Sequence, residues 1–319
     1  MHRSFTFLTW AALLCTAALL ALGLVLPKWL LFMCTMAFAN GLVSLGIVLL
    51  MRGGVVAFGQ GLMSAIGGYT AALLFQKMGI TDAIVLTLVG GITATLLTAP
   101  FAPLLSRYRG IFFGMLNLAV SMVIVALLGK LYSLTGGTDG IRVDRPAFLG
   151  FVTERNEFET ILLVFTLVMS LLAGWFYQRF IKSGSGEALL GLKSNETRLE
   201  YLGLSAHRVL WVGYVISGLF VSLSGAIFAL AQGLVTPDIG SWTRSGELVF
   251  ITILGGVSHS LGAFVGAAIF EAVKLTASAY MAGVWQLLLG FTLLVVIVVA
   301  PDGIIGALEK RKEKKGAQI

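Results

Sequence analysis

Charge is what this chain has least of. Of its 319 residues only 12% are charged and just 15 are acidic, while 58% are hydrophobic. A soluble domain carries about 25% charged and about 45–50% apolar residues. No water-soluble fold of this size hides so much apolar side chain, because too much of it stays at the surface. Lipid is therefore the expected solvent. Cysteine is scarce as well. Cys15 and Cys34 both lie in apolar runs, which argues against a disulfide framework, and no CxxC or Cys/His spacing offers a metal site. Catalytic signatures are missing too. GxxxxGK[ST], a nucleophile elbow and HExxH occur nowhere, so the chain is not expected to be an enzyme, and any ATP consumed is hydrolysed elsewhere. The net charge of +7 comes from bases spread over segment ends, which argues against nucleic acid and for membrane orientation.

What is present is a series of apolar runs. A helix needs about 20 apolar residues to cross about 30 Å of hydrocarbon. Runs at 6–26, 30–50, 55–76, 83–104, 111–131, 159–178, 209–231 and 284–300 qualify. The region 246–281 is too long for one crossing and is interrupted by GGVSHSLG at 255–262. It is read as a short span, 246–258, and a full one, 262–281. The expected fold is all-α, a polytopic transmembrane bundle of about ten spans. The first run lacks a convincing A-x-A site after it and reads as an uncleaved span rather than a signal peptide. With both termini in the cytoplasm, lysine and arginine favour the inner loops by two to one, the bias that orients membrane proteins. Residues 1–308 then form one transmembrane domain and 309–319 a basic tail. The main inner loop is 179–208 and the longest outer one 132–158.

One inner stretch stays polar: SGSGEALLGLKSNETRLEYLGLS, 183–205. Residues 187–193 suit about two helical turns. Ser194-Asn195 interrupts, since both residues favour caps over helix interiors. A second short helix over 196–202 is closed by Gly203. Ala188, Leu189, Leu192, Leu199 and Leu202 give a ragged apolar stripe. Such a pair of helices suits docking into another protein's groove, or it is a solvated loop.

The same stretch resembles the cytoplasmic coupling loop of permease subunits of branched-chain amino-acid ABC importers. Ser183, Gly186, Ala188, Asn195, Glu196, Leu202 and Gly203 match that pattern, while Glu187, Gly191 and Lys193 depart from it. VAFGQGLMSAIGGYTAALL at 56–74, TGGTDGI at 135–141, the block VTPDIGSWTRSGELVFITILGGVSHSLGAFVGAAI at 235–269 and APDGIIG at 300–306 resemble other family segments in order. The likeness covers most of 36–306 and is nearest to the second, M-type, of two paired permeases. It implies a non-enzymatic subunit in a bacterial inner membrane. Its partners would be a second permease, two ATPase subunits that carry ATP and Mg, and a periplasmic or extracytoplasmic substrate-binding protein. No cofactor is expected on this chain. Gly186, Glu187, Ala188, Asn195, Glu196, Arg198 and Gly203 are the residues expected at the ATPase contact.

Four residues are candidates for a translocation path. Gln60 is a strong polar group in an apolar run; it lines a path or bonds a neighbouring helix. Tyr69 lines the path or anchors an interface. Asn117 and Ser121 lie one turn apart on one helix face, with the same two readings. Outside, Gly136, Gly137 and Gly140 supply positive-φ positions and Asp139 an Asx-type turn, either a contact for a delivering protein or simply a turn. Glu271 and Lys274 lie three apart and can pair. They would be the core of an alternative, a self-standing ion-coupled transporter. A membrane scaffold is the third reading.

Overall fold

The structure, a computed structural model, describes residues 27–151, 155–257 and 259–280, with 287, 290–292, 294–295, 298 and 303–306. The expected span 6–26, most of 284–300 and the basic tail lie outside the described residues.

The described chain is helical almost throughout. The first helix is α1 (Lys28–Arg52), followed by α2 (Gln60–Met78), α3 (Ala83–Thr98) and a 3-10 turn into α4 (Ala102–Leu105). Then come α5 (Gly110–Lys130), the short α6 (Tyr132–Thr135), α7 (Arg155–Ile181), α8 (Gly184–Ser194), α9 (Glu196–Tyr201), α10 (Ala206–Gln232), α11 (Trp242–Gly255) and α12 (Ser260–Tyr280). Among the described residues six stretches are long and apolar enough to cross a membrane: α1, α3 with α4, α5, α7, α10 and α12. They coincide with expected spans. The interruption near 255–262 is also found, since α11 ends at Gly255 and α12 starts at Ser260.

Local chemistry sets the boundaries. Asp82 accepts from the Ile84 and Val85 amides to open α3, and Ser205 and Ser241 cap α10 and α11 in the same way. These caps satisfy amides that have no partner inside the helix. Gly79 and Gly233 close α2 and α10 in the left-handed conformation.

Helices α1 and α10 form the centre. The most apolar stretch of α1 is 83% buried and that of α10 is 72%, against 22% for α5, which lies at the periphery. On α10 pack α1, α2 and α3, while α7 and α12 flank α1. Close approach depends on glycine. A Cβ on Gly67 of α2 would stand 2.1 Å from the Ser222 carbonyl, and one on Gly225 of α10 would stand 1.9 Å from that of Ser64. Small residues at such contacts are how helices associate tightly in lipid.

The bundle has two distinct ends. At one, α8 and α9 lie against Gly53, Ser106–Arg109 and the start of α10, with Ser260 nearby through Gln178. At the other, β1 (Ile141–Arg142) pairs antiparallel with β2 (Leu234–Val235), and Asp82 bridges to Ala147. This two-stranded clasp ties the loop after α6 to the exit of α10.

Candidate functional site at the middle of the bundle

Two connections abandon helical structure inside the bundle. Residues 53–59 leave α1 as irregular chain, with Val55, Ala57 and Gly59 buried. The expected span 55–76 is thus a helix only from Gln60 onward. Its first residue lies beside Ser217, about 16 Å along α10. The second connection is 236–241, whose 3-10 turn Pro237–Gly240 descends from the clasp to the level of Gly61. From there α11 runs for 14 residues, about 21 Å, too short to cross alone. Irregular backbone at membrane depth persists only where protein buries it or a cavity borders it. Here protein buries both: Val56 and Gly59 lie against Gly114 and Asn117 of α5, and 239–241 lie against Gly61 of α2. A Cβ on Gly61 would lie 3.3 Å from the carbonyls of both Ile239 and Ser241.

Around this junction the structure gathers three of the four expected path residues. Gln60 Nε2 donates to Ser217 Oγ at 3.2 Å, and Gly61 N to Ser245 Oγ at 3.2 Å. Tyr214 OH donates to Asn117 Oδ1, and Ser121 Oγ to the Gly240 carbonyl, both at 3.4 Å. Gly59 fits between, since a Cβ there would meet Asn117 Oδ1 at 1.9 Å. Two polar atoms stay unmatched: Gln60 Oε1, an acceptor, and Asn117 Nδ2, a donor. Both residues are almost wholly enclosed. Orphaned buried groups are costly, so a pair of opposite type is a notable feature of the junction. Tyr69 is not part of it. It sits nine residues further along α2, packed with Ile141, Val143 and Val235 near the clasp, its hydroxyl also without a partner.

Next to the junction lies a polar network that sequence reading missed. Arg244 Nη1 donates to Glu247 Oε2 at 2.8 Å and Nη2 to Asn40 Oδ1 at 2.6 Å. Asn40 Nδ2 donates to Glu271 Oε1 at 2.5 Å, and Lys274 Nζ stands 3.8 Å from Glu247 Oε2. Two cations and two acids thus balance one another between α1, α11 and α12. Arg244, which the expected spans 209–231 and 246–258 leave in an outer loop, is drawn inside, and Glu271 and Lys274 belong to this larger set. Asn40 in AFANGLV was the available signal, a strong hydrogen-bonding side chain in the middle of an apolar run. The network's long sequence separations hid its partners.

The polar loop folds as two short helices, as expected. Ser183 caps α8, and Asn195 caps α9 through the Arg198 amide at 2.9 Å. Ala188, Leu189, Leu192 and Leu199 are buried, but Leu202, expected in the same stripe, is exposed, as are Tyr201 and Leu190. Gly186 is enclosed, because a Cβ there would strike the Phe180 carbonyl. Gly186 and Ala188 therefore face the protein, whereas Glu187, Asn195, Arg198 and Gly203 face outward. Glu196 pairs with Arg109 at 2.9 Å.

At the far end, Gly136, Gly137 and Gly140 all adopt positive φ. The turn is held by Thr135 Oγ1, which accepts from Gly137 N at 3.2 Å, with Asp139 exposed. Gly140 rests on the Val235 carbonyl. A cleft of about 690 Å³ opens nearby, bordered by Phe32, Arg142, Arg145, Glu159 and Leu230. It lies about 20 Å along α10 from Ser217 and is separate from the junction.

The family model described as "Branched-chain amino acid transport system / permease component" matches residues 29–298. The chain belongs to this family. It is 26% identical to the high-affinity branched-chain amino acid transport system permease protein LivM of Salmonella typhimurium, over 89% of this chain and 72% of that protein. LivM of Escherichia coli K12 is also 26% identical, over 83% and 67%. LivH of Salmonella typhimurium is 24% identical, over 81% and 88%. No solved structure matches. The likeness to M-type permeases inferred from the motifs is thereby met, and the chain is a membrane permease subunit of an importer. Among the described residues no group of His, Cys, Asp and Glu is placed to hold a metal ion.

Proposed function

We propose that this chain is half of the membrane channel of an ATP-driven importer for branched-chain amino acids in a bacterial inner membrane. The carrying observation is the family match over nearly the whole chain, joined to an enclosed polar junction at mid-bundle. A second permease supplies the other half. The 183–205 end faces the cytoplasm and presents Glu187, Leu190, Arg198, Tyr201 and Leu202 to one of two ATPase subunits, which hold ATP and Mg. The clasp end and the TGGTDGI turn face the periplasm and receive a loaded binding protein.

The solute's polar head passes the junction. An amino acid carries an ammonium that needs acceptors and a carboxylate that needs donors. Gln60 Oε1 and Asn117 Nδ2 are one of each, and neither is charged. Neutral amides hold a zwitterion weakly enough to release it, as conduction requires. Apolar helix faces accept the branched side chain. ATP binding and release bias the bundle between two access states by differential affinity.

The test is uptake of radiolabelled leucine into liposomes holding the complete complex. Uptake should require ATP and the loaded binding protein, and Gln60→Leu should lower it about tenfold with complex assembly unchanged. Leucine uptake by this chain alone under a proton gradient would replace the proposal with an ion-coupled transporter using Glu271 and Lys274.

A further inference from the structure

The helices of the 183–205 loop rest on the two connectors that lead to Gln60 and Asn117. Leu189 of α8 packs on Gly53, where a Cβ would lie 2.8 Å from its Cδ1, and the Lys193 side chain lies against Gly54. Six residues after Gly54 comes Gln60. The second connector, Ser106–Arg109, is held more firmly. Arg109 Nε donates to both carboxylate oxygens of Glu196 at 3.2 Å, and Nη2 stands 2.9 Å from Oε1. Nη1 turns back to the carbonyls of Ser106 and Tyr108. Arg109 is also the residue that precedes α5, and Asn117 follows two turns later. A second tether joins Ser106 Oγ to His207 Nδ1 at 3.0 Å, at the start of α10.

We propose that Arg109 is a positioning residue for transport: it passes displacement of the α8–α9 pair to α5, and through α5 to Asn117 and Ser121. Glu196 serves this internal link rather than the ATPase contact expected from its motif. The inference rests on reading 183–205 as the ATPase-facing loop.

Energy alone does not explain the pair. Its side chains are 28% and 40% exposed, and ion pairs this open to solvent contribute little to stability. Geometry does explain it. The guanidinium is a rigid planar fork, and its three nitrogens all have partners here, so it joins two backbone segments in one orientation. Lysine, a point charge on a flexible stem, cannot do this. The element it pulls is also the one best placed to follow. Among the described helices long enough to span a membrane, α5 is the least enclosed, with Ile111, Phe112 and Met115 exposed on its outer side, so little packing against the described residues opposes its tilt.

The experiment uses the full complex, with this permease as wild type, Arg109→Glu, Glu196→Arg, the double exchange of both, and Arg109→Lys. Three quantities are read: co-elution of the ATPase chains, ATP hydrolysis with loaded binding protein, and leucine carried per ATP hydrolysed. Each single charge reversal should keep the ATPases bound but lower leucine per ATP about tenfold, and the double exchange should recover most of it, as coupled pairs do. Arg109→Lys should fall between. A merely structural pair would leave the ratio untouched, and that result overturns the inference. So does loss of ATPase co-elution in Glu196→Arg that the double exchange fails to restore, since Glu196 would then touch the ATPase. Both results leave the importer reading intact. That reading fails separately, and this inference with it, if the wild-type complex carries no leucine on ATP.

Discussion

Arg244 is a largely enclosed cation among the helices of a membrane protein, an expensive place for a charge. A cation at mid-bilayer costs about 2.5–3.5 kcal/mol even on insertion scales. The chain offsets this with Glu247, Asn40 and, through Asn40, Glu271. Removing one member of such a set leaves its partner uncompensated. Arg244→Met should therefore lower stability in detergent by about 3 kcal/mol, read as a drop in the thermal midpoint, and Arg244→Met with Glu247→Gln should recover part of the loss. A single variant as stable as wild type would show that the four charges do not depend on one another. At the junction the logic is reversed. Gln60 and Asn117 each keep one polar atom unmatched, a cost without return in a purely structural role. A solute that passes through would satisfy both.

At the scale of elements, the legible and the hidden parts divide along a physical line. Long runs of apolar residues fixed α1, α3, α5, α7, α10 and α12 in advance, because a membrane helix must satisfy its backbone internally over a set length. The same rule misled at 55–59. Val55, Val56, Ala57 and Phe58 are as apolar as any helix, yet they run as irregular chain. Hydropathy measures transfer to an apolar interior and is blind to backbone form when the interior is protein. The clasp was hidden for another reason: two residues pair with two others far along the chain, and no period marks them. It is held where Gly140 meets the Val235 carbonyl, 2.1 Å from where a Cβ would lie, at a φ of +74°. Gly140→Val should therefore open the clasp. Hydrogen exchange of the Val143 amide, bonded to the Gly233 carbonyl at 2.9 Å, should quicken about tenfold or more, with the centre of α10 unchanged. Equal exchange in both proteins would refute the clasp's dependence on this glycine.

Taken whole, the molecule is a bundle with a polar centre and two unlike ends. One end carries a strand clasp and glycine turn, the other a pair of short helices set on the connectors to the centre. Family membership was readable from motifs in their correct order, and so was the two-helix form of 183–205. Which of its residues face outward was not readable, because Gly186, Ala188 and Leu202 resemble one another in pattern yet differ in burial. In the proposed importer the outward face of this segment meets an ATPase in the cytoplasm. Tyr201 is 88% exposed, and the native thiols are only Cys15 and Cys34. With both replaced by Ser, a Tyr201→Cys chain is exposed to a membrane-impermeant maleimide in intact cells and in inside-out vesicles, with and without the ATPase chains. Tyr201→Cys should show no labelling from outside, ready labelling in the vesicles, and protection once the ATPase is bound. Labelling in intact cells, or labelling in vesicles that the ATPase leaves unchanged, would contradict this contact.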